Sequence, residues 1–166
     1  MSNNLGYCLA AEKLAGVEVP DRASYLRVIF AELQRIASHA MANGQIVSDA
    51  GACQTPLLYM FREREKILDL FEMTCGARML YNYIWVGGVS HDFPPGFIEK
   101  CHAFLDKFEG KMDEYNDLLS HNKIFIERTA NVGVLPLEAA FSYNLTGPNL
   151  RGSGFKWDLR RDDPYS

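Results

Sequence analysis

The chain has 166 residues, 48% of them hydrophobic, enough for one domain with a real core. Its 17 basic and 21 acidic residues are mixed along the sequence and give a net charge of -4, which excludes the positive surface that nucleic acid binding requires. The longest apolar run, Leu57-Leu58-Tyr59-Met60-Phe61, is far short of the roughly 20 residues that cross a bilayer, so any tie to a membrane is expected to run through partners.

Met1-Ser2-Asn3-Asn4 has neither a basic stretch nor an apolar one, which argues against a secretory leader and for the cytoplasm. Ser2 is placed to cap a first helix from about Asn3 to Ala15, closed by Gly16. A second helix is expected from Pro20 to about Asn43, with Asp21 in the turn where a carboxylate is favourable. Leu26, Ile29, Leu33, Ile36 and Ala40 recur at helical spacing and form its expected apolar face. The helix can continue past Gly44 to Asp49, and Asp49-Ala50-Gly51-Ala52 reads as a break. Thr55-Pro56, a cap followed by proline, starts a third helix to about Cys75 that carries Leu57, Met60, Phe61, Ile67, Leu68 and Phe71. Gly76 stops or kinks it, and Ala77 to Tyr83 are expected to add a further helical turn or two. Gly87-Gly88 is a turn, and Pro94-Pro95 opens a fourth long helix to about His121 with Phe97, Ile98, Phe104, Phe108, Met112, Tyr115 and Leu119 as its seam. A small helix is expected from Leu135 to near Asn144, then an extended, glycine-bearing tail.

The fold class expected is therefore all-α, a bundle of three long helices plus short helices and an extended C-terminal tail. Residues 1–145 are expected as the helical core and 146–166 as its extended segment. The chain begins directly in a helix, as if cut from something longer, and that tail needs something to lie against.

Few residues suggest chemistry by themselves. Glu32, Arg35 and His39 share one stripe of the second helix, which reads either as a buried proton relay or as a solvated, ion-paired face. Met41, Gln45 and Asp49 repeat every four residues at its end, where Asp49 either lines a pocket or caps the next element. Arg62-Glu63-Arg64-Glu65-Lys66 sets five consecutive charges around a helix, so one or two must point inward and need partners; Glu63 is the candidate buried carboxylate. Cys8, Cys53, Cys75 and Cys101 include no CxxC pair, so buried thiols are expected and no metal site. Neither phosphate-loop motif occurs, and no cofactor is expected to be bound by this chain.

Several segments occur together in one order: Ala11-Glu12-Lys13-Leu14, Arg27 to Arg35, Asp49-Ala50-Gly51-Ala52, Phe61-Arg62-Glu63-Arg64-Glu65-Lys66, Gly76-Ala77-Arg78, Thr146-Gly147-Pro148-Asn149-Leu150-Arg151-Gly152-Ser153-Gly154 and Trp157-Asp158-Leu159-Arg160. On these the chain resembles the D subunit (49 kDa type) of the respiratory NADH:quinone oxidoreductase, complex I, and reads as an internal section of it. That family is related to the large subunit of nickel–iron hydrogenases, whose helical core the fold would resemble, but lacks the metal cysteines.

The resemblance implies quinone as substrate, reduced in a cavity shared with the neighbouring subunit that holds the terminal iron–sulfur cluster. It implies as partners that subunit, the C subunit and the membrane subunit of the quinone channel, and a peripheral place on the cytoplasmic face of the cell membrane. The histidine and tyrosine that bind the quinone head would lie upstream of Met1. Asp49 would match the carboxylate that pairs with that histidine, with Met41 and Gln45 lining the same cavity. Glu32, Arg35, His39 and Glu63 would match polar positions of the helical core. The isolated section would be inactive and would self-associate. Three positions depart from the pattern: Ala52-Cys53-Gln54-Thr55 is one residue longer, Trp85 replaces a common arginine, and Leu80 stands where a polar residue is frequent. A hydrogenase-type large subunit and a non-catalytic helical scaffold or interaction domain are the alternative readings.

Overall fold

A computed structural model describes residues 1–52 and 54–164. They form two compact units, Met1–Arg128 and Thr129–Ser166. The expected core boundary at 145/146 falls inside the second unit.

In the first unit, helix α1 (Ser2–Ala15) ends where Gly16 takes the left-handed conformation, φ 65°, and its N–H returns to the Glu12 carbonyl. Met1, not Ser2, occupies the N-cap, and Ser2 is already helical. Helix α2 (Asp21–Val47) starts after extended Pro20 and carries Gly44 in its interior. Gly44 is there because the next long helix comes so close: a Cβ would lie 2.8 Å from Leu57 Cδ1 and 3.0 Å from Leu57 Cα. A turn, Ser48–Ala52, leaves α2 and kinks at Gly51, φ 91°.

Helix α3 (Thr55–Cys75) has its proline in the first turn and Gln54 at the N-cap, so Thr55 is in the helix and does not cap it. Left-handed Gly76, φ 71°, ends α3. The helical turns expected over 77–83 do not form: after Gly76 the chain runs irregularly into an antiparallel hairpin, β1 (Ile84–Trp85) and β2 (Gly88–Val89), turning at Val86-Gly87. Helix α4 (Phe97–Tyr115) passes into a π turn, Asn116–Ser120, and then α5 (Lys123–Thr129).

The unit is held by α2 lying along α3, with α1, α4 and the hairpin packed around them. Phe30 sits at the centre, 0% exposed, stacked on Tyr83 at 4.2 Å and on Phe71, Phe93 and Phe97 at 5.4 to 5.8 Å. The buried face of α2 is therefore rotated from the expected one: Leu26 and Leu33 are buried, but Phe30, Ala31 and Ala37 fill the core while Ile29 is exposed. On α4, Phe97, Phe104 and Tyr115 are buried, whereas Ile98 and Met112 of the expected seam are exposed. Cys8 is a buried free thiol, and Cys75 and Cys101 are half-buried ones; Cys53 lies outside the described residues.

Tyr83 is fully buried, and among the described residues its hydroxyl has no hydrogen-bond partner. Burial pushes that phenol well above its usual range, so it stays neutral. Tyr83→Phe is expected to leave stability unchanged or raise it by up to about 1 kcal/mol, because an unpaired buried hydroxyl costs free energy. A clear loss in a urea melt would show instead that the hydroxyl is bonded.

The second unit is small. Helix α6 (Leu137–Ser142) and helix α7 (Gly147–Gly152) pack on each other around buried Ala140 and Leu150, and helix α8 (Leu159–Asp162) follows. The tail, expected to be extended, thus carries two short helices, with a turn at Ser153-Gly154 after the first. Phe141 meets Phe155 edge to face at 5.2 Å, and Arg151 donates to the Trp157 carbonyl at 3.2 Å, tying the glycine-bearing loop back on itself.

Candidate functional site

Three polar assemblies occur in the first unit. The first lies at the end of α2. Met41 and Gln45 are exposed one helical turn apart, and Asp49 follows, also exposed, in the Ser48–Ala52 turn. Ser48 Oγ donates to the Gly44 carbonyl at 2.8 Å, which satisfies a backbone group as the helix ends. Beyond Asp49, the Gly51 carbonyl accepts from Arg128 Nη1 of α5 at 3.2 Å. The three sequence-predicted lining residues therefore form an open polar-and-thioether edge that leads into a kinked turn.

The second assembly is a cleft between α2, α3 and α4 of about 250 Å³. Ile36, Met60, Phe108 and Met112 give it apolar walls, while His39, Asn43, Glu63 and Tyr115 supply its polar groups. Glu63 is 1% exposed. Burial pushes its carboxyl up, but hydrogen bonds from Lys66 at 2.5 Å and Arg62 at 2.7 Å outweigh this and hold it below the usual range. Arg62 continues to Glu114 at 3.3 Å, which also accepts from Lys111. Glu63 is thus a fixed buried anion between two cations. His39, though on the same cleft, is exposed.

Glu32 and Arg35 pair at 3.1 Å across one turn of α2, both partly exposed. Glu32 faces a different feature, an open groove of about 430 Å³ between α2 and α4 walled mainly by Ile29, Leu33, Phe97, Ile98 and Leu105. The structure therefore brings His39 and Glu63 onto one cleft and separates them from the Glu32–Arg35 pair. Among the described residues no group of three or more His, Cys, Asp or Glu side chains could hold a metal ion, and no helix is long and apolar enough to cross a membrane.

The third assembly escaped the sequence reading. Glu12 of α1 and Arg27 of α2 form a buried ion pair, 5% and 3% exposed. Arg27 donates to both Glu12 oxygens, at 2.5 and 3.0 Å, and to the carbonyls of Trp85 and Gly88, while the Gly87 N–H donates to Glu12. One pair thus joins α1, α2 and the hairpin.

A family model described as "Respiratory-chain NADH dehydrogenase, 49 Kd subunit" matches residues 49–166. Relatives match over the whole chain. The proteins named as the D subunit of NADH-quinone oxidoreductase are 52% identical in Prosthecochloris aestuarii, and 54% identical in Dehalococcoides mccartyi strain 195 and in Roseiflexus sp. RS-1, where the name carries the number 1. The chain belongs to the 49 kDa subunit family of the respiratory-chain NADH dehydrogenase. It covers 41 to 45% of the length of these relatives.

Two of the departures from the 49 kDa pattern are solvent-facing: Leu80 is 92% exposed and Trp85 is 53% exposed at the hairpin. Three cations that the sequence reading did not single out turn out to be structural connectors: Arg27, Arg64, which is buried and donates to the Ala37 carbonyl at 3.0 Å, and Arg128 on Gly51. The signal for Arg27 was available. It occupies the stripe of Ala23, Leu26 and Phe30, and an arginine among core positions demands a buried acceptor.

Proposed function

We propose that this chain is a section of the quinone-reducing subunit of a proton-translocating NADH:quinone oxidoreductase. In this reading Met41, Gln45 and Asp49 form part of the wall of the quinone cavity. The observation that carries it is identity of about half of all residues, across the entire chain, to proteins named as the D subunit of NADH-quinone oxidoreductase. The exposed edge at the end of α2 supports it, since a cavity wall needs accessible polar and soft apolar groups side by side.

Quinone is the substrate, and the iron–sulfur cluster of the neighbouring subunit would supply its electrons. The part of the reaction that falls to this chain is electrostatic. The Asp49 carboxylate orients an imidazole contributed from outside these residues and stabilises its protonated form, so that a proton is delivered as the quinone is reduced. The chain sits peripherally on the cytoplasmic face of the membrane, held by the cluster-bearing subunit, the C subunit and the membrane subunit of the quinone channel. Alone it is inactive, and its uncovered apolar side chains, among them Leu14, Leu58 and Leu80, favour self-association.

The test is Asp49→Asn in the assembled complex. Quinone reduction is expected to slow by about 10²-fold, the scale of a lost acid–base contribution. NADH oxidation by an artificial acceptor, which bypasses the quinone, is expected to stay at the wild-type rate. Undiminished quinone reduction removes Asp49 from the mechanism.

A further inference from the structure

We propose that Arg128 is a positioning residue for the Asp49 turn: its guanidinium, on the Gly51 carbonyl, sets the path of the Ser48–Ala52 segment and hence where Asp49 presents its carboxylate. This rests on the reading of Asp49 given above.

The geometry is specific. Asp49 lies in the Ser48–Ala52 turn, which kinks at its one residue with non-helical dihedrals, Gly51 at φ 91°, ψ 20°. The left-handed dihedrals of Gly51 interrupt the helical bonding there, and its carbonyl takes a donor from outside the segment. Arg128, 77 residues away on α5, supplies it through Nη1 at 3.2 Å from the Gly51 oxygen. The guanidinium also occupies the volume that a side chain at 51 would take: a Cβ there would lie 1.5 Å from Arg128 Nη1 and 2.8 Å from Cζ. Gly51 is thus required twice, for its positive φ and for the seat of the arginine. Arginine suits the role because its planar, permanently charged fork holds one orientation as it donates, whereas an ammonium on a flexible stem does not. Asp49 is two residues from the anchored carbonyl, so a shift of the turn moves the carboxylate with it. Misplacing a reacting group by about 1 Å costs up to roughly 10²-fold in rate.

The experiment uses the assembled complex carrying Arg128→Ala, Arg128→Lys, Asp49→Asn and the Asp49→Asn/Arg128→Ala pair. Two readouts are taken: amide hydrogen exchange across Ser48–Ala52, and quinone reduction resolved into kcat and KM, with artificial-acceptor oxidation as the control. Arg128→Ala is expected to speed exchange in that segment at least about tenfold and to lower quinone kcat by about 10- to 100-fold. Arg128→Lys recovers part of both. The double variant is no slower than Asp49→Asn, because Arg128 acts through the same turn. If Asp49→Asn leaves quinone reduction intact, the role of Asp49 fails, and hydrogen exchange alone decides whether Arg128 holds the turn. Unchanged exchange in Arg128→Ala overturns the proposal. So does faster exchange with normal quinone kinetics in a complex where Asp49→Asn is impaired, or a double variant slower by the product of the two single effects.

Discussion

Arg27→Met is expected to destabilise the Met1–Arg128 unit by about 3–5 kcal/mol, the usual result of removing one member of a buried ion pair. Glu12 would remain 5% exposed with only the Gly87 N–H facing its charge, and the carbonyls of Trp85 and Gly88 would each lose a charged donor. Replacing both members by apolar residues, Glu12→Leu with Arg27→Met, relieves the orphaned carboxylate. Recovery should still be incomplete, because the hairpin loses the donors that tie it to α1 and α2.

The same pair sets a pH dependence. The hydrogen bond from Arg27 holds the Glu12 carboxyl below its ordinary range; burial works the other way, and the Gly87 N–H adds to the lowering. Its folded-state pKa is thus depressed relative to the unfolded chain, where a glutamate titrates near about 4.3. The stabilisation is fully present above that value and is lost as pH falls through the lower folded value. Urea melts of the wild type and Glu12→Gln should therefore converge on acidification below about pH 4, since glutamine has no proton to gain. In Arg27→Met the sign reverses: the unpaired buried carboxylate prefers its proton, so the variant gains on the wild type as pH falls. A cost under about 1 kcal/mol for Arg27→Met at neutral pH would mean the pair is not buried as described.

Phe30→Ala is expected to cost about 3–5 kcal/mol, in the range for deleting a fully buried phenylalanine. Phe30 touches rings from α3, from the 81–97 connection and from the start of α4, so no single neighbour can relax into the space left. Phe30→Leu, nearer in volume, should cost less than half as much. The informative control is one position away. Ile29 is 37% exposed and Ile29→Ala should cost about 1 kcal/mol or less. Equal losses at 29 and 30 would put the buried face of α2 where apolar spacing alone had placed it.

That contrast shows which parts of the molecule local sequence governs. Gly16 and Gly76 end helices because left-handed dihedrals cost glycine no Cβ clash, and Pro56 in the first turn starts α3; each effect acts within a few residues. The all-α class and the order of the long helices were legible for this reason, and so was the family, from motifs spread along the chain. The candidate stripe Met41, Gln45 and Asp49 was legible as a spacing, but its exposure was not.

The tertiary structure decided the rest. Which side of α2 is buried depends on α3, the hairpin and α4 arriving around Phe30, and the apolar spacing of α2 permits more than one rotation. Over 77–83 irregular chain takes the place of the expected helical turns and leads into the hairpin, whose backbone is bound by Glu12 and Arg27 from two helices far away in sequence. Gly51 and Arg128 are separated by 77 positions, and Glu12 and Arg27 by 15. Groups that distant become partners only once the helices between them have packed, so periodicity and propensity, which act over a turn or two, carry no record of either contact.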